Sequence, residues 1–326
     1  MMSVVFKRTS GEKEKTENSI LQILAYFSIF QYPLSKDEII NFLHPDADST
    51  RLDYALESLV TEGSIFKING FYLLKNDISL VARRKEGNLR AEQLLPKAMK
   101  IGRFLSKFPY VRGVGISGSL SKKFADEKAD IDFFIVTRAN RLWIARTCMH
   151  LFKKLTFLAG KQHYFCMNYY VDEKALMLKE RNIYTAVETF TLLPVNGTGL
   201  DDFFAANSWV SEWFANFPVK RNDQPRQSSS SVVKKMIEWV FNNKAGNWLD
   251  NYLMKVTDRR WQKKKRNKAL NRAGREMDLI TGKHFAMSNP GMFREKVLAI
   301  YDEKITGVKC SPPGYFENTY PNSASI

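Results

Sequence analysis

Two aspartates lie one residue apart in an apolar segment, shortly after a glycine-serine pair. The segment from Gly118 to Val136 reads GSLSKKFADEKADIDFFIV, and its ADID portion holds Asp130 and Asp132. Side chains two positions apart on a strand share a face, so we expect both carboxylates to point the same way. Unpaired like charges at this distance raise each other's pKa. Because Mg²⁺ takes one or two carboxylates together with substrate phosphates, the pair predicts a Mg²⁺ site.

The glycine-serine pair predicts a site for phosphate groups. It follows a predicted strand, VRGVGI, and opens a predicted short helix. Gly118 lets the backbone approach a ligand closely, and the N–H groups from Ser119 onward present a positive helix end to an anion. Ser121 and Lys122 lie beside this turn, where Lys122 adds positive charge. A phosphate cradle next to a metal-holding pair predicts a site for a nucleoside triphosphate (NTP).

The spacing of these two motifs resembles a known family. Gly118-Ser119, ten intervening residues and Asp130-Ile131-Asp132 on an apolar strand look like the signature of the DNA polymerase β-like nucleotidyltransferase superfamily. The resemblance covers residues 111–171 and implies that the two aspartates hold Mg²⁺ ions for in-line attack at the α-phosphate of an NTP, with pyrophosphate leaving. The residues that we expect to bind the nucleotide are Gly118, Ser119, Ser121 and Lys122.

The third acid of this family is the point where the chain departs from the pattern. The family normally supplies it from the next strand, which here reads HYFCMNYYVDE and has Asn168 at its centre. An amide oxygen can ligate a metal, but an amide cannot act as a base at neutral pH. Asp172 at the end of the strand is the expected substitute, with the more distant Glu188 and with His163 as further candidates for the base. We therefore predict catalytic roles for Asp130, Asp132 and Asp172, and metal ligation by Asp130, Asp132 and Asn168.

The N-terminal part of the chain resembles a winged helix-turn-helix domain over residues 17–75. Three apolar-periodic segments predict helices, the second of which begins after a Ser35 cap. Two short apolar runs around Asn69-Gly70 predict a hairpin. The third helix carries more acidic than basic side chains, which would bring net negative charge to a phosphate backbone. We therefore favour a protein-contact or substrate-positioning module over a reader of DNA sequence.

These segments together predict the fold class α+β. We expect an N-terminal winged helix, a central small mixed-sheet nucleotidyltransferase domain and a C-terminal helical region. A basic connecting helix is expected over residues 80–108, the nucleotidyltransferase-like domain over 109–221 and the helical region over 232–310. A polar stretch at 222–231 is the predicted linker.

The charge of the chain implies an anionic partner. The 326 residues carry a formal net charge of +16, which fits nucleic acid, nucleotide phosphates or an acidic surface without choosing among them. The segment 258–275, DRRWQKKKRNKALNRAGR, is either a surface for nucleic-acid backbone or a charged solvent-facing helix. Both interpretations stay open.

Cysteine usage and hydropathy predict a cytoplasmic protein. The three cysteines are isolated, which favours neither a disulfide framework nor a zinc ribbon. The start of the chain is too polar for a signal peptide. The most apolar segment, residues 20–34, is interrupted by polar residues and is shorter than a membrane span, so we expect no membrane contact.

Two functions from different classes follow. The leading hypothesis is a Mg²⁺-dependent nucleotidyltransferase that moves a nucleoside monophosphate to a hydroxyl acceptor, with a nucleic acid or a protein among the candidate acceptors. The alternative is a catalytically impaired protein of the same fold that binds nucleotide or nucleic acid in a regulatory role. A third carboxylate within reach of Asp130 and Asp132 favours the enzyme, whereas Asn168 alone favours the binder or a one-metal variant. The oligomeric state stays open.

Overall fold

The chain has a mixed α+β fold. The computed structural model describes residues 2–127, 129–157, 164–217, 231–270, 279–288 and 290–310, together with Gly274 and Glu276. The described residues form two compact units, the first from 2–86, 209–217 and 294–310 and the second from 87–208 and 231–293. The predicted domain ranges are contiguous, whereas each unit is assembled from separated segments.

The first unit contains a small antiparallel sheet with helices around it. Its first elements are α1 (Met2–Ser28), β1 (Leu34–Ser35), α2 (Lys36–Asn41), α3 (Leu52–Thr61), β2 (Phe66–Ile68) and β3 (Phe71–Leu73), and the strand order is β1-β3-β2. The predicted hairpin is confirmed, since Asn69 and Gly70 adopt the positive φ angles, 50° and 85°, that tight hairpin turns require. Ser35 caps α2 as predicted, in a reciprocal capping box with Glu38. The winged-helix assignment stays a prediction.

The second unit is built on a six-stranded mixed sheet. The strands are β4 (Val111–Ser117), β5 (Asp132–Thr137), β6 (Cys166–Asp172), β7 (Leu193–Asn196), β8 (Leu279–Thr281) and β9 (Phe285–Ser288), in the order β7-β4-β5-β6-β9-β8. Its neighbouring pairs are antiparallel except β5 with β6, which run parallel. The remaining α-helices of the described residues are α4 (Ile78–Leu105), α5 (Gly118–Ser121), α6 (Leu142–Phe157), α7 (Ile183–Thr191), α8 (Gly199–Ala206), α9 (Val232–Val240), α10 (Lys244–Arg266) and α11 (Phe293–Cys310). The first residues of α4 and all but the first of α11 belong to the first unit.

The central strand β5 is covered on both faces. Phe133 and Ile135 lie in the main apolar cluster with Trp143 of α6. On the other face, the ring of Phe134 lies 4.6 Å from that of Phe203 in α8. Burial on both sides explains why this strand is a continuous apolar run in the sequence rather than an alternating one.

The predicted C-terminal helical region is not purely helical. Strands β8 and β9 form a hairpin that extends the sheet, with β9 antiparallel to β6. These strands have three and four residues, which is too short for a periodic apolar pattern to be visible. Residues 222–230 of the predicted linker lie outside the described residues, and Ser231 is the N-cap of α9.

Helix α9 turns two charged residues, Lys234 and Glu238, inward. The Nζ of buried Lys234 donates to the backbone oxygens of Ser106 and Val111, at 2.9 and 2.8 Å. Glu238 accepts two hydrogen bonds from the guanidinium of Arg112, both at 2.9 Å. These bonds fix the N-terminal end of β4, the strand that leads to the glycine-serine turn. Over the described part of the chain, no helix combines the length and the apolar character needed to cross a bilayer.

Candidate functional site

Gly118 and Asp132 lie side by side where β4 ends and β5 begins. Ser117, the last residue of β4, is opposite Asp132, the first residue of β5. Gly118 has a φ of 69°, in the left-handed region that favours glycine. A Cβ atom at this position would lie only 2.7 Å from the Oδ2 of Asp132. The turn and the carboxylate are therefore in direct contact, and no side chain fits between them.

The other residues predicted to bind nucleotide surround this turn. Ser119 is exposed. The hydroxyl of Ser121 donates to the backbone oxygen of Gly118 at 2.8 Å. The Nζ of Lys122 donates to the same oxygen at 3.1 Å and to Oε1 of Glu188 at 2.8 Å. Lys122 therefore links the turn to α7.

Asp130 does not lie on the strand, because β5 begins two residues later at Asp132. The expectation that both carboxylates share one face of a strand is therefore wrong in its geometry. Asp130 is exposed, whereas Asp132 is half-buried. The two carboxylates still interact, since the charge of Asp130 raises the pKa of Asp132.

The carboxyl of Asp132 has a strongly raised pKa. Burial is the main cause, followed by the negative charges of Asp130 and Glu188, and together they raise the pKa to about 7. Lys153 of α6 and Lys122 act in the opposite direction. The carboxylates of Asp130, Asp132 and Glu188 thus repel one another, and any cation beside Asp132 would reduce this repulsion.

Asn168 lies beside Asp132, while its ligation of a metal stays a prediction. The parallel register between β5 and β6 shifts after Met167, so Asn168 is the extra residue of a bulge in β6. Its Nδ2 donates to Oδ1 of Asp132 at 2.5 Å. The Sγ of Cys166 lies 3.4 Å from the Oδ1 of Asn168 and 3.9 Å from the Nζ of Lys153. The bulge therefore turns an amide, not a carboxylate, towards the site.

The structure does not bring Asp172 to the site. Asp132 is opposite Cys166 at the start of the parallel pair, whereas Asp172 is opposite Thr137 at its far end. Five residues of strand separate the two ends, which corresponds to about 16 Å. This distance exceeds the reach of a shared metal ion. The expectation that Asp172 acts at this site is therefore wrong, because the register of β5 and β6 places it at the other end of the strands.

The contacts of Asp172 hold loops of the second unit together instead. It is fully buried, and its carboxylate accepts hydrogen bonds from the backbone N–H groups of Asn140 and Lys174 at 2.8 and 2.9 Å. Its Oδ2 also lies 2.8 Å from Nδ1 of His284. These contacts tie the loops after β5 and β6 to the β8–β9 hairpin. Of the two further candidates for the base, Glu188 lies on α7 and His163 lies outside the described residues.

Three charged or polar neighbours of Asp132 were missed or underrated in the sequence. Lys153 and Cys166 belong to no recognised motif, and Glu188 was only a more distant candidate for the base. Glu188 and Lys153 lie on helices that meet Asp132 only in the folded chain. A clue was available for Cys166 alone, because it lies two residues before Asn168 on the same predicted strand.

The donor set suits Mg²⁺ that arrives with a phosphate ligand. Over the described ranges, no group of three or more His, Cys, Asp or Glu side chains is arranged to hold a metal ion. Asp130 and Asp132 offer hard oxygen donors, and Mg²⁺ typically takes only one or two protein carboxylates and completes its shell with water and phosphate. The residues therefore fit a shared Mg²⁺–phosphate site better than a preformed metal centre.

The chain was also compared with known proteins. No family model matches it, and neither a curated protein nor a solved structure does.

Proposed function

We propose that the chain is a Mg²⁺-dependent nucleotidyltransferase, which moves a nucleoside monophosphate from an NTP to a hydroxyl acceptor. The observation that carries this proposal is the contact between Gly118 and the Oδ2 of Asp132. A glycine turn that leads into the exposed Ser119 and a carboxylate suited to a metal ion are thereby placed next to each other. This juxtaposition is what a metal-bound triphosphate requires.

Each residue of the site has a role in this proposal. Asp130 and Asp132 would hold Mg²⁺, which when bound would neutralise charge on the triphosphate oxygens. Asn168 fixes the orientation of Asp132 through its hydrogen bond. Lys122 is held at the turn by the backbone oxygen of Gly118, so its positive charge stays beside the expected phosphates. Ser119 is exposed and accessible to the ligand.

Removal of either aspartate charge tests nucleotide binding. We expect the wild-type protein to bind at least one of ATP, CTP, GTP and UTP in the presence of Mg²⁺. We expect Asp130→Asn to weaken binding about tenfold, which corresponds to about 1.4 kcal/mol. We expect Asp132→Asn to weaken it more. Isothermal titration calorimetry with and without EDTA measures both effects.

The matched control is Asp202→Asn, which removes an exposed carboxylate from α8 in the same unit. It should leave nucleotide affinity unchanged. Binding that survives EDTA, or that falls equally in all three variants, would contradict the proposed site.

A second candidate function is favoured by Asn168. The amide cannot take a proton from an attacking hydroxyl, and Glu188, the third carboxylate near Asp132, is paired with Lys122 at 2.8 Å. A protein with this site could bind a nucleotide or a nucleic acid without turnover. It would then act as a regulatory or binding protein.

Pyrophosphate release separates the two functions. The enzyme should release pyrophosphate from an NTP when incubated with Mg²⁺ and pools of RNA, protein or small hydroxyl compounds, and Asp132→Asn should abolish that release. The binder should hold nucleotide without release.

In either case, we expect Asn168→Asp to tighten Mg²⁺ binding several-fold, because it places a further carboxylate beside Asp132. Unchanged Mg²⁺ affinity in this variant would show that position 168 does not face the metal.

A further inference from the structure

Helix α10 exposes a pair of stacked aromatic side chains. The rings of Trp248 and Tyr252 lie 5.5 Å apart with an angle of 8° between their planes. Their exposed fractions are 67% and 52%. Large aromatic side chains are normally buried, and exposed ones that form a flat, ordered surface indicate a binding site. A stacked pair of this kind offers a platform for another planar ring.

A row of cations continues the same face of α10. Lys255, Arg259, Lys263 and Arg266 follow Tyr252 at intervals of three or four residues, and all four are exposed. Residues at this spacing lie above one another along a helix. We call the six residues from Trp248 to Arg266 on this side the outer face of α10.

The acidic residues of α10 point away from the outer face. Asp250 is buried and accepts a hydrogen bond from the backbone N–H of Ile144 at 2.9 Å. Asp258 accepts a hydrogen bond from the hydroxyl of Thr281 on β8. Asp250 thus faces α6 and Asp258 faces β8, and within α10 the outer face carries only positive charge. Its charge is complementary to a polyanion.

We propose that the outer face of α10 binds single-stranded nucleic acid. Phosphate groups would contact the cations, while bases stack on Trp248 and Tyr252. A duplex offers phosphates but keeps its base faces inside the stack, so it would use only half of this surface. An anionic membrane would favour an extended apolar face, whereas the apolar part of the outer face of α10 consists of two aromatic rings at one end of a row of cations. A single strand uses both the aromatic and the cationic parts.

This inference stands apart from the proposed function, because none of the six residues of the outer face is among those proposed to bind nucleotide. The test therefore uses the full chain without NTP or Mg²⁺. Fluorescence anisotropy would measure the affinity for labelled oligo-U RNA and oligo-dT, for a duplex of the same length, and for vesicles of anionic phospholipid. Each titration is repeated at several salt concentrations.

Two double variants separate stacking from charge. We expect Trp248→Ala/Tyr252→Ala to weaken single-strand binding at least tenfold with little change in its salt dependence, because base stacking contributes about 1–3 kcal/mol per base. We expect Arg259→Gln/Lys263→Gln to reduce the slope of log K against log salt by about 1.4, since each single-strand phosphate contact contributes roughly 0.7.

The matched control is Lys100→Gln/Arg103→Gln, which removes two exposed cations from α4 in the same unit. It should change affinity much less than either α10 variant. An equal loss in the control, tighter binding of the duplex, or binding of vesicles in preference to single strands would overturn the proposal. Circular dichroism melts of all variants confirm that the altered residues, which are exposed, leave the fold intact.

Discussion

Replacement of Gly118 by alanine is expected to abolish nucleotide binding and to lower the free energy of unfolding by about 2–4 kcal/mol. Two effects add. An alanine at a φ of 69° has the steric cost of the left-handed region. Its Cβ would also lie 2.7 Å from the Oδ2 of Asp132, so either the turn or the carboxylate must move. Calorimetry with Mg²⁺ and NTP measures the loss of binding, and urea denaturation measures the loss of stability.

Gly274→Ala is the matched control for this change. Gly274 lies in the same unit with a φ of 72°, and no atom of the described residues lies within 4 Å of an added Cβ. This variant therefore has the backbone cost of about 1–2 kcal/mol without the clash. It should keep wild-type nucleotide affinity. An equal loss of stability in the two variants would show that the clash with Asp132 has no effect on stability. Normal nucleotide binding by Gly118→Ala would show that binding does not depend on the contact between Gly118 and Asp132.

Asp132→Asn is expected to stabilise the Mg²⁺-free protein at pH 8 and to have little effect at pH 4. The folded-state pKa of Asp132 is raised to about 7, well above its unfolded value. Between these two pKa values the folded state binds the proton more tightly than the unfolded state, so stability falls as the pH rises. Asparagine has no such titration. With allowance for the partial exposure of the side chain, we expect a gain of about 1–3 kcal/mol above pH 7.

Urea denaturation at pH values from 4 to 8 in EDTA measures this prediction. The difference in stability between Asp132→Asn and wild type should grow with pH and level off above pH 7. Asp202→Asn should show no comparable dependence. A difference that is constant with pH would contradict the raised pKa. Addition of Mg²⁺ and NTP at pH 8 should stabilise the wild type and not the variant, because only the wild type keeps the carboxylate.

The parts of the fold that depend on local sequence could be predicted. The Asn69-Gly70 turn is specified by two residues whose backbone preference allows few alternatives. The Ser35 cap is equally local. Gly118 and Asp132 also meet because of a short connection, since β4 and β5 are consecutive antiparallel strands with only the short helix α5 named between them. In each case the residues that interact are close in the sequence.

The rest of the site depends on contacts that the sequence does not encode locally. The parallel register of β5 and β6 places Asn168 beside Asp132 and takes Asp172 to the opposite end. A strand pattern alone leaves that register open. Glu188 reaches the site from α7, after a further crossover. The charge that acts on Asp132 besides Asp130 is therefore that of Glu188 on a helix, the more distant candidate, and not that of Asp172 on the strand.

The pairing of β6 with β9 has a consequence for synthesis of the chain. β4, β5 and β6 leave the ribosome as three neighbouring strands, but β9 is translated more than a hundred residues after β6. Until then β6 has an open edge that carries Tyr169 and Tyr170, and open edges of this kind pair with other chains. Closure over so long a connection is also slow. Nascent chains that stall before β9 would thus expose an aggregation-prone edge, and the β8–β9 hairpin protects the sheet that carries Asp132 and Asn168.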